Sequence, residues 1–360
     1  MNSICVRLSL PAGLLPSMFL RVSLLLGVAV LTACGPPTQE VRARYEKASS
    51  LRFRGSVVVH EAGPRTAAGQ WSFWYPGGQL QAEGRYMEGG IPAEADLEAN
   101  QTRVPLAGRI GTWKGWHPTG TLAWEGEYRE GKRMGPWRWW HPGGRESQRG
   151  TFVDGLEHGR FQTWHSDGAR ASEGEWLVGK REGLHRSWNP SKGLLTKGYW
   201  RDGKREGLHQ VWDQRGVLRE EGTYREGELN GTRNVWDADG SLVLLGTYEN
   251  GEPHGDVVLY HPNGQRKEQG LYVHGSKEGV HVIWDLDGSK LVEQEYRLGK
   301  PNGARTSFYS SGDKQSQGTF QDGFPVGRHR QWSDTGELMA EGDYGDGSRS
   351  GNWRYWSSDG

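Results

Sequence analysis

Twelve histidines and 44 acidic residues are the side chains of this sequence that could support acid–base or metal chemistry. Catalysis would need some of them to converge, as a carboxylate pair or a histidine beside a nucleophile does. Several aspartates instead stand directly before a glycine, the residue order of a tight turn, among them Asp167, Asp239, Asp287 and Asp359. No Gly-x-Ser-x-Gly, His-Glu-x-x-His or phosphate-loop motif occurs in the 360 residues. We therefore expect a protein that is not an enzyme.

Eight of the histidines fall into two sets whose members are spaced by multiples of 24 residues: His117, His141, His165 and His261 in one, and His185, His209, His281 and His329 in the other. Equivalent residues of neighbouring two-stranded repeats lie roughly 10 Å apart, at about 4.8 Å per strand. Zinc holds its nitrogen ligands about 2.0–2.1 Å away. Histidines of one set therefore cannot share an ion, and we expect no metal and no cofactor.

The two cysteines, Cys5 and Cys34, both lie near the N-terminus. Residues 22–31 form an apolar run that is too short for a membrane-spanning helix of about 20 residues and typical of a signal-peptide core. The run ends in Leu-Thr-Ala before Cys34, which resembles the lipobox of bacterial lipoproteins and implies a lipid on Cys34. We predict a signal peptide over residues 1–33, with Met1 and Met18 both open as the start, and a lipidated tether over residues 34–68.

The amino-acid composition indicates whether the chain folds and which classes of partner it can bind. Hydrophobic residues make up 34% of the chain, below the roughly 45–50% of globular proteins. Disordered chains are poor in aromatic residues, whereas this one has 11% aromatics and 18 tryptophans. Basic and acidic residues balance at 44 each, so the cationic surface that nucleic-acid binding requires is missing. We expect a folded protein without a nucleic-acid partner.

Glycine recurs at a fixed interval through most of the chain. It returns every 24 residues from Gly111 to Gly351, with no insertion. Counting Gly111 as position 1, three further positions repeat: an aromatic residue at position 6 (Trp116 to Trp356), glycine at position 16 (Gly126 to Gly342, once replaced by Gln294), and an aromatic residue at position 18 (Tyr128 to Tyr344). An earlier copy starts at Gly69, with an inserted loop at about residues 90–106. The repeat array therefore covers residues 69–360.

Each repeat reads as a β-hairpin. The first strand is Gly-x-Trp-x-x-Trp, and the turns are Asp-Gly, Asn-Gly or Pro-Gly-Gly, which suit tight hairpins. In the second strand, Leu122, Trp124, Gly126 and Tyr128 alternate onto one face. Glycine this frequent would cost a helix about 1 kcal/mol per residue. We predict an all-β fold, an elongated single-layer antiparallel sheet built as a solenoid-like array of β-hairpin repeats.

Two details of the hairpin concern its faces. The aromatic residues at positions 3 and 6, such as Trp137 and Trp140, differ in parity. Either a bulge intervenes or both faces carry rings, and both alternatives stay open. The glycine at position 16 is predicted to leave a gap over which a ring can lie.

These repeats resemble the MORN family, in the bacterial variant of YwqK-like proteins. They share its glycine–aromatic hairpin, a period in the low twenties and the Asn-Gly or Asp-Gly turns, over about residues 69–360. The resemblance implies successive hairpins in one curved antiparallel sheet. It associates the chain with scaffolding and membrane contact, as in eukaryotic members, or with an antitoxin role, as bacterial members are often labelled.

We therefore expect a lipid-anchored envelope protein, in the outer membrane if the cell has two membranes, that acts as a protein-interaction scaffold. The alternatives are a glycan- or peptidoglycan-binding module and an antitoxin or immunity-type partner of a toxin. The candidate binding surface consists of Trp113, Trp137, Trp139, Trp353, Tyr355 and Trp356. The last predicted strand, residues 351–356, has an unpaired outer edge that could pair with a partner or a second copy.

Overall fold

The computed structural model describes residues 38–44, 51–58, 66–88 and 104–357. The predicted signal peptide, Cys34 and nearly all of the inserted loop lie outside these ranges. All regular secondary structure in the described ranges is β-strand. No helix there is long and apolar enough to cross a membrane.

The described residues form 25 strands. They are β1 (Thr38–Arg44), β2 (Leu51–Val58), β3 (Thr66–Trp74), β4 (Leu80–Tyr86), β5 (Arg109–Trp116), β6 (Leu122–Arg129), β7 (Lys132–Trp140), β8 (Glu146–Val153), β9 (Leu156–Trp164), β10 (Arg170–Leu177), β11 (Lys180–Trp188), β12 (Leu194–Arg201), β13 (Lys204–Trp212), β14 (Leu218–Arg225), β15 (Glu228–Trp236), β16 (Leu242–Glu249), β17 (Glu252–Tyr260), β18 (Arg266–Val273), β19 (Ser276–Trp284), β20 (Lys290–Arg297), β21 (Lys300–Phe308), β22 (Lys314–Gln321), β23 (Phe324–Trp332), β24 (Leu338–Gly345) and β25 (Ser348–Tyr355).

The chain divides into two compact units, residues 1–168 and residues 169–360. Unit one holds β1–β9, and within it each strand from β1 to β8 pairs antiparallel with the one that follows it. Unit two holds β10–β25, paired in the same way. The predicted all-β, antiparallel array of hairpins is confirmed.

Two kinds of turn alternate along each unit. In the first turn, the amide of Gly120 donates to the carbonyl of His117 at 2.8 Å, and Gly120 takes a φ of +87°. The second turn has two central residues, Glu130 and Gly131, with φ values of +51° and +79°. Two consecutive positive φ values define the type I′ turn, whose twist matches that of the strands it joins.

Hydrogen bonds also join successive turns on both rims of the sheet. On one rim, the amide of Gly131 donates to the carbonyl of Arg109 at 2.9 Å, and equivalent glycines repeat this bond in both units. On the other rim, His117 Nε2 donates to the carbonyl of Trp140 at 2.8 Å. His141 bonds Trp164 in the same way at 2.9 Å. Repeats that make both bonds, such as the one that carries His117, are therefore tied to the next repeat at both ends of their strands.

The segment predicted as a tether contributes strands to the sheet. Strand β2 pairs with β1 and with β3, although both β1 and β2 lie within residues 34–68. Gly55 is equivalent to the position-16 glycine, because a Cβ on it would lie 2.0 Å from the Trp71 ring. Residues 38–44 and 51–58 of the predicted tether thus form an additional hairpin that lacks the repeated tryptophan.

Candidate binding surface

One face of the sheet, which we call the core face, is built from rings that lie over glycines. A Cβ added to Gly126 would lie 2.1 Å from the Trp137 ring, and one on Gly84 would lie 2.1 Å from the Trp113 ring. In unit two, Gly198 stands in the same relation to His209. No side chain larger than hydrogen fits at these glycines, so the predicted packing role of position 16 is confirmed.

The tryptophan and histidine rings at position 3 also make a specific hydrogen bond. Trp137 Nε1 donates to the carbonyl of Glu127 at 3.2 Å, and Trp113 Nε1 to that of Arg85 at 3.0 Å. His281 Nε2 donates to the equivalent carbonyl, that of Leu271, at 2.9 Å. Histidine therefore takes the place of tryptophan in some repeats of unit two, which accounts structurally for the second histidine set.

The rings of positions 3 and 18 alternate along the core face, packed edge to face. Trp137 meets Tyr128 with ring centroids 4.9 Å apart at 89° and Phe152 at 6.1 Å and 74°. The side chains of Trp113 and Trp137 are 0% and 1% exposed. These two residues, predicted as part of an open binding surface, are core residues, because neighbouring rings cover both of their faces.

The register places the rings of position 6 on the opposite face. Trp113 and Trp116 are three residues apart in β5, and the bulge in this hairpin adds Ala123 to the partner strand. Strand β5 therefore alternates without interruption and carries rings on both faces, the second of the two alternatives. The bulge also places Leu122 opposite Trp116, so the expectation that Leu122 shares a face with Trp124 is wrong.

The rings on this second face form a set that we call the aromatic row. All its described members down to β23 are partly exposed, in contrast to Trp113 and Trp137. In unit one they are Trp74, Trp116, Trp140 and Trp164; in unit two they are Trp188, Trp212, Trp236, Tyr260, Trp284, Phe308 and Trp332.

Cationic side chains accompany the aromatic row. The Arg149 guanidinium lies 4.9 Å from the Trp164 ring centroid, and that of Arg170 lies 5.7 Å from the Trp188 ring. Lys290 Nζ lies 5.7 Å from the Phe308 ring. Such contacts are worth about 0.5–1 kcal/mol at exposed sites, and they orient these rings.

The remaining predicted site residues lie at two places. Trp139 is half-buried on the core face, 5.6 Å from Trp137. Trp353 is half-buried and stacks on Tyr355 at 6.2 Å. Tyr355 and Trp356 are 62% and 40% exposed, so the structure keeps these two open. The sequence search selected tryptophan clusters and missed most of the aromatic row, although its constant spacing at position 6 was visible.

Among the described residues, one group of three acidic and histidine side chains is close enough to hold a metal ion. Glu249, His254 and His274 offer ligand atoms that all lie within 4.8 Å of one another. The expectation of no metal site compared only histidines of the same set, and these three residues occupy three different positions of the repeat.

Two segments of the chain, residues 68–87 and 253–274, match the family described as MORN repeat variant. Each segment spans one hairpin of the repeat, β3–β4 and β17–β18. No curated protein matches the sequence.

Three solved structures share a weak likeness with the chain. The crystal structure of TcdB2-TccC3 has 9% identity and a TM-score of 0.15, over 89% of this chain and 24% of that one. That of TcdB2-TccC3-TEV has 12% identity and a TM-score of 0.14, over 89% and 17%. That of TcdB2-TccC3-Cdc42 has 9% identity and a TM-score of 0.13, over 89% and 23%. The chain thus spans a quarter or less of the length of these proteins, and likeness at this level carries no inference.

Proposed function

We propose that this protein is a non-catalytic scaffold of the cell envelope, anchored by a lipid on Cys34, that binds protein partners through its aromatic row. The contrast between the two faces of unit one carries this proposal. The core-face rings of Trp113 and Trp137 are 0% and 1% exposed, whereas the rings of the aromatic row keep part of their surface open.

The composition of the aromatic row suits a protein interface. Tryptophan, tyrosine and arginine are enriched in interface cores, and tryptophan often supplies much of the binding energy. Successive rings stand two strands apart, roughly 10 Å at about 4.8 Å per strand. A partner with its own repeated structure would meet a ring in each repeat of a unit.

The positions of the polar residues support a non-catalytic role. Asp239 and Asp287 lie in turns, where their amides donate to Asp237 Oδ1 and Asp285 Oδ1 at 2.9 and 3.0 Å. The histidines of the core face donate a hydrogen bond from Nε2 to a backbone carbonyl, as His281 does. Side chains fixed in turns and core are poorly placed to meet a substrate.

A glycan ligand is the alternative, since sugars stack on aromatic faces. The guanidinium groups of Arg149 and Arg170 already lie over the rings of Trp164 and Trp188. A sugar would have to displace these cations, whereas an acidic or amide side chain of a protein could bind ring and cation together. This observation favours the protein partner.

The test is site-specific photo-crosslinking in cells. A photoreactive phenylalanine derivative replaces Trp212 of the aromatic row, and in a control it replaces Asn250, which lies in a second turn. We expect a discrete protein adduct from position 212 and none from position 250. Trp212→Ala should abolish binding of the purified partner while circular dichroism stays unchanged.

Two outcomes would overturn the proposal. Equal labelling from both positions would show that the aromatic row has no special role. Retention on purified peptidoglycan that depends on Trp212, without a protein adduct, would replace the proposal with the glycan alternative.

The anchor is tested separately. Several acyl chains on Cys34 would hold the protein firmly at a membrane, whereas a single chain binds only marginally. Metabolic labelling with a fatty acid should mark the wild type and leave Cys34→Ser unmarked. Equal labelling of both would contradict the lipid anchor without affecting the binding surface.

A further inference from the structure

The three candidate ligands occupy one rim of unit two. Glu249 and His254 flank the second turn that joins β16 to β17, and His274 lies in the next second turn, between β18 and β19. His254 Nδ1 lies 3.5 Å from Glu249 Oε2. The imidazole rings of His254 and His274 have centroids 5.0 Å apart.

The equivalent side chains of other repeats have a purely structural role. Residues at the position of His254 accept the backbone amide of the following second turn: Glu182 Oε2 accepts from Asp202 at 3.0 Å, and Glu278 Oε2 accepts from Leu298 at 3.0 Å. His254 Nδ1 makes this bond to the amide of His274 only at 3.4 Å. The nitrogen is therefore held more loosely than its counterparts.

The same nitrogen faces the Glu249 carboxylate. In the neutral imidazole that accepts the His274 amide, the Nδ1 lone pair and the carboxylate oxygen are both electron-rich and lie 3.5 Å apart. A second carboxylate, Glu252 Oε2, lies 3.6 Å from where a Cβ on Gly275 would be. A bound cation would relieve this unfavourable arrangement.

We propose that Glu249, His254 and His274 form a binding site for a divalent transition-metal ion of the zinc class. Two imidazoles and one carboxylate are a ligand set that zinc accepts with water in the fourth position. Tetrahedral zinc with bonds of about 2.0–2.2 Å separates its ligand atoms by about 3.4 Å. The 3.5 Å pair already fits. The widest pair, at most 4.8 Å apart, has to close by about 1.4 Å.

The site is open to water. The His254 and Glu249 side chains are 38% and 47% exposed, so an ion can enter from solvent and keep a water ligand. Imidazole favours ions of this class over magnesium or calcium, which prefer oxygen ligands.

The repeats themselves supply variants that preserve the turn. Asn230 and Asn302 occupy the position of His254, and Asn250, with a φ of +50°, occupies that of His274. His254→Asn and His274→Asn should therefore fold. His158→Asn is the matched control. His158 shares the position of His254, but the residue five positions before it is Val153, where the site has Glu249.

The experiment is calorimetric titration of the full chain with ZnCl₂, with circular dichroism to verify folding. The wild type and His158→Asn should bind one zinc tightly. His254→Asn should weaken that binding by at least about tenfold, and the double variant His254→Asn/His274→Asn should abolish it. Zinc should raise the Tm of the wild type and leave the Tm of the double variant unchanged. Unchanged tight binding in the double variant, or none in the wild type, would overturn the proposal.

Discussion

At the scale of single residues, the pair of strand glycine and overlying ring recurs in most repeats. One repeat without this pair shows what the pair contributes. Gln294 replaces the glycine, and the residue that would supply the ring is Arg305. Gln294 is 2% exposed and its Nε2 donates to the carbonyl of Glu295 at 2.8 Å, the carbonyl that a ring would otherwise reach. One amide side chain thus fills the gap and makes the ring's hydrogen bond.

The first prediction follows from one of these contacts between glycine and ring. Gly126→Ala should lower the free energy of unfolding by about 1–3 kcal/mol, the usual cost of overpacking, because its Cβ would lie 2.1 Å from the Trp137 ring. Urea denaturation followed by tryptophan fluorescence measures the change.

Gly143→Ala is the matched control. A Cβ at Gly143 meets no atom within 4 Å, so this variant should stay close to the wild type. Equal losses in the two alanine variants would mean that the ring contact is not the cause.

At the scale of the hairpin, the turns could be predicted from sequence, whereas the start of the first strand and the faces of the strands could not. The first strand was predicted to begin at the glycine of position 1, Gly135 in β7, but it begins at Lys132. The side on which Leu122 lies depends on the bulge at Ala123, which is a property of pairing and leaves the alternation of Trp124, Gly126 and Tyr128 unchanged. The sequence therefore led to Trp113 and Trp137 as surface residues, although they are core.

Histidine in the core makes a hairpin sensitive to acid. Burial lowers the pKa of His281, and Lys277 acts in the same direction while Glu268 opposes. Folding therefore favours the neutral ring, so its contribution is fully present above the unfolded-state value of about 6.5 and is lost as the pH falls below it.

The second prediction is that His281→Phe reduces the loss of stability in acid. Phenylalanine occupies the same position at Phe161 over Gly150, so the variant should fold. Urea denaturation at about pH 7.5 and about pH 5 should show a smaller difference between the two pH values for His281→Phe than for the wild type. The same difference in both proteins would contradict a role for this ring.

At the scale of the whole molecule, the repeats act through their neighbours. Strands β1 and β2 escaped sequence analysis because they lack the position-6 tryptophan and the turn glycines, and because Gly55 acquires meaning only once Trp71 lies against it. The 24-residue spacing, by contrast, was sufficient to predict the all-β array. Local composition thus predicts the interior of an array better than its first hairpin.

The third prediction concerns how far damage spreads. Trp137→Ala should cost about 3–5 kcal/mol, because the ring is fully buried. In an array of nearest-neighbour contacts, amide hydrogen exchange should quicken in β6, β7 and β8 and stay unchanged in β3. Acceleration spread evenly over all strands of unit one would contradict a linear array.

The bonds between successive turns also determine how such a chain can change its length. They join residues a fixed distance apart, as Gly131 does with Arg109 and His117 with Trp140, so adding one residue within a strand would break the bonds on both rims. A whole 24-residue cassette brings its own bonds and can be added or removed intact. Extra residues are otherwise accommodated at a turn, as between Met87 and Gly108, where amide and carbonyl meet at 2.8 Å and the excursion between them leaves the rim closed. This architecture therefore permits the chain to lengthen by duplication of whole repeats, with other insertions confined to the turns.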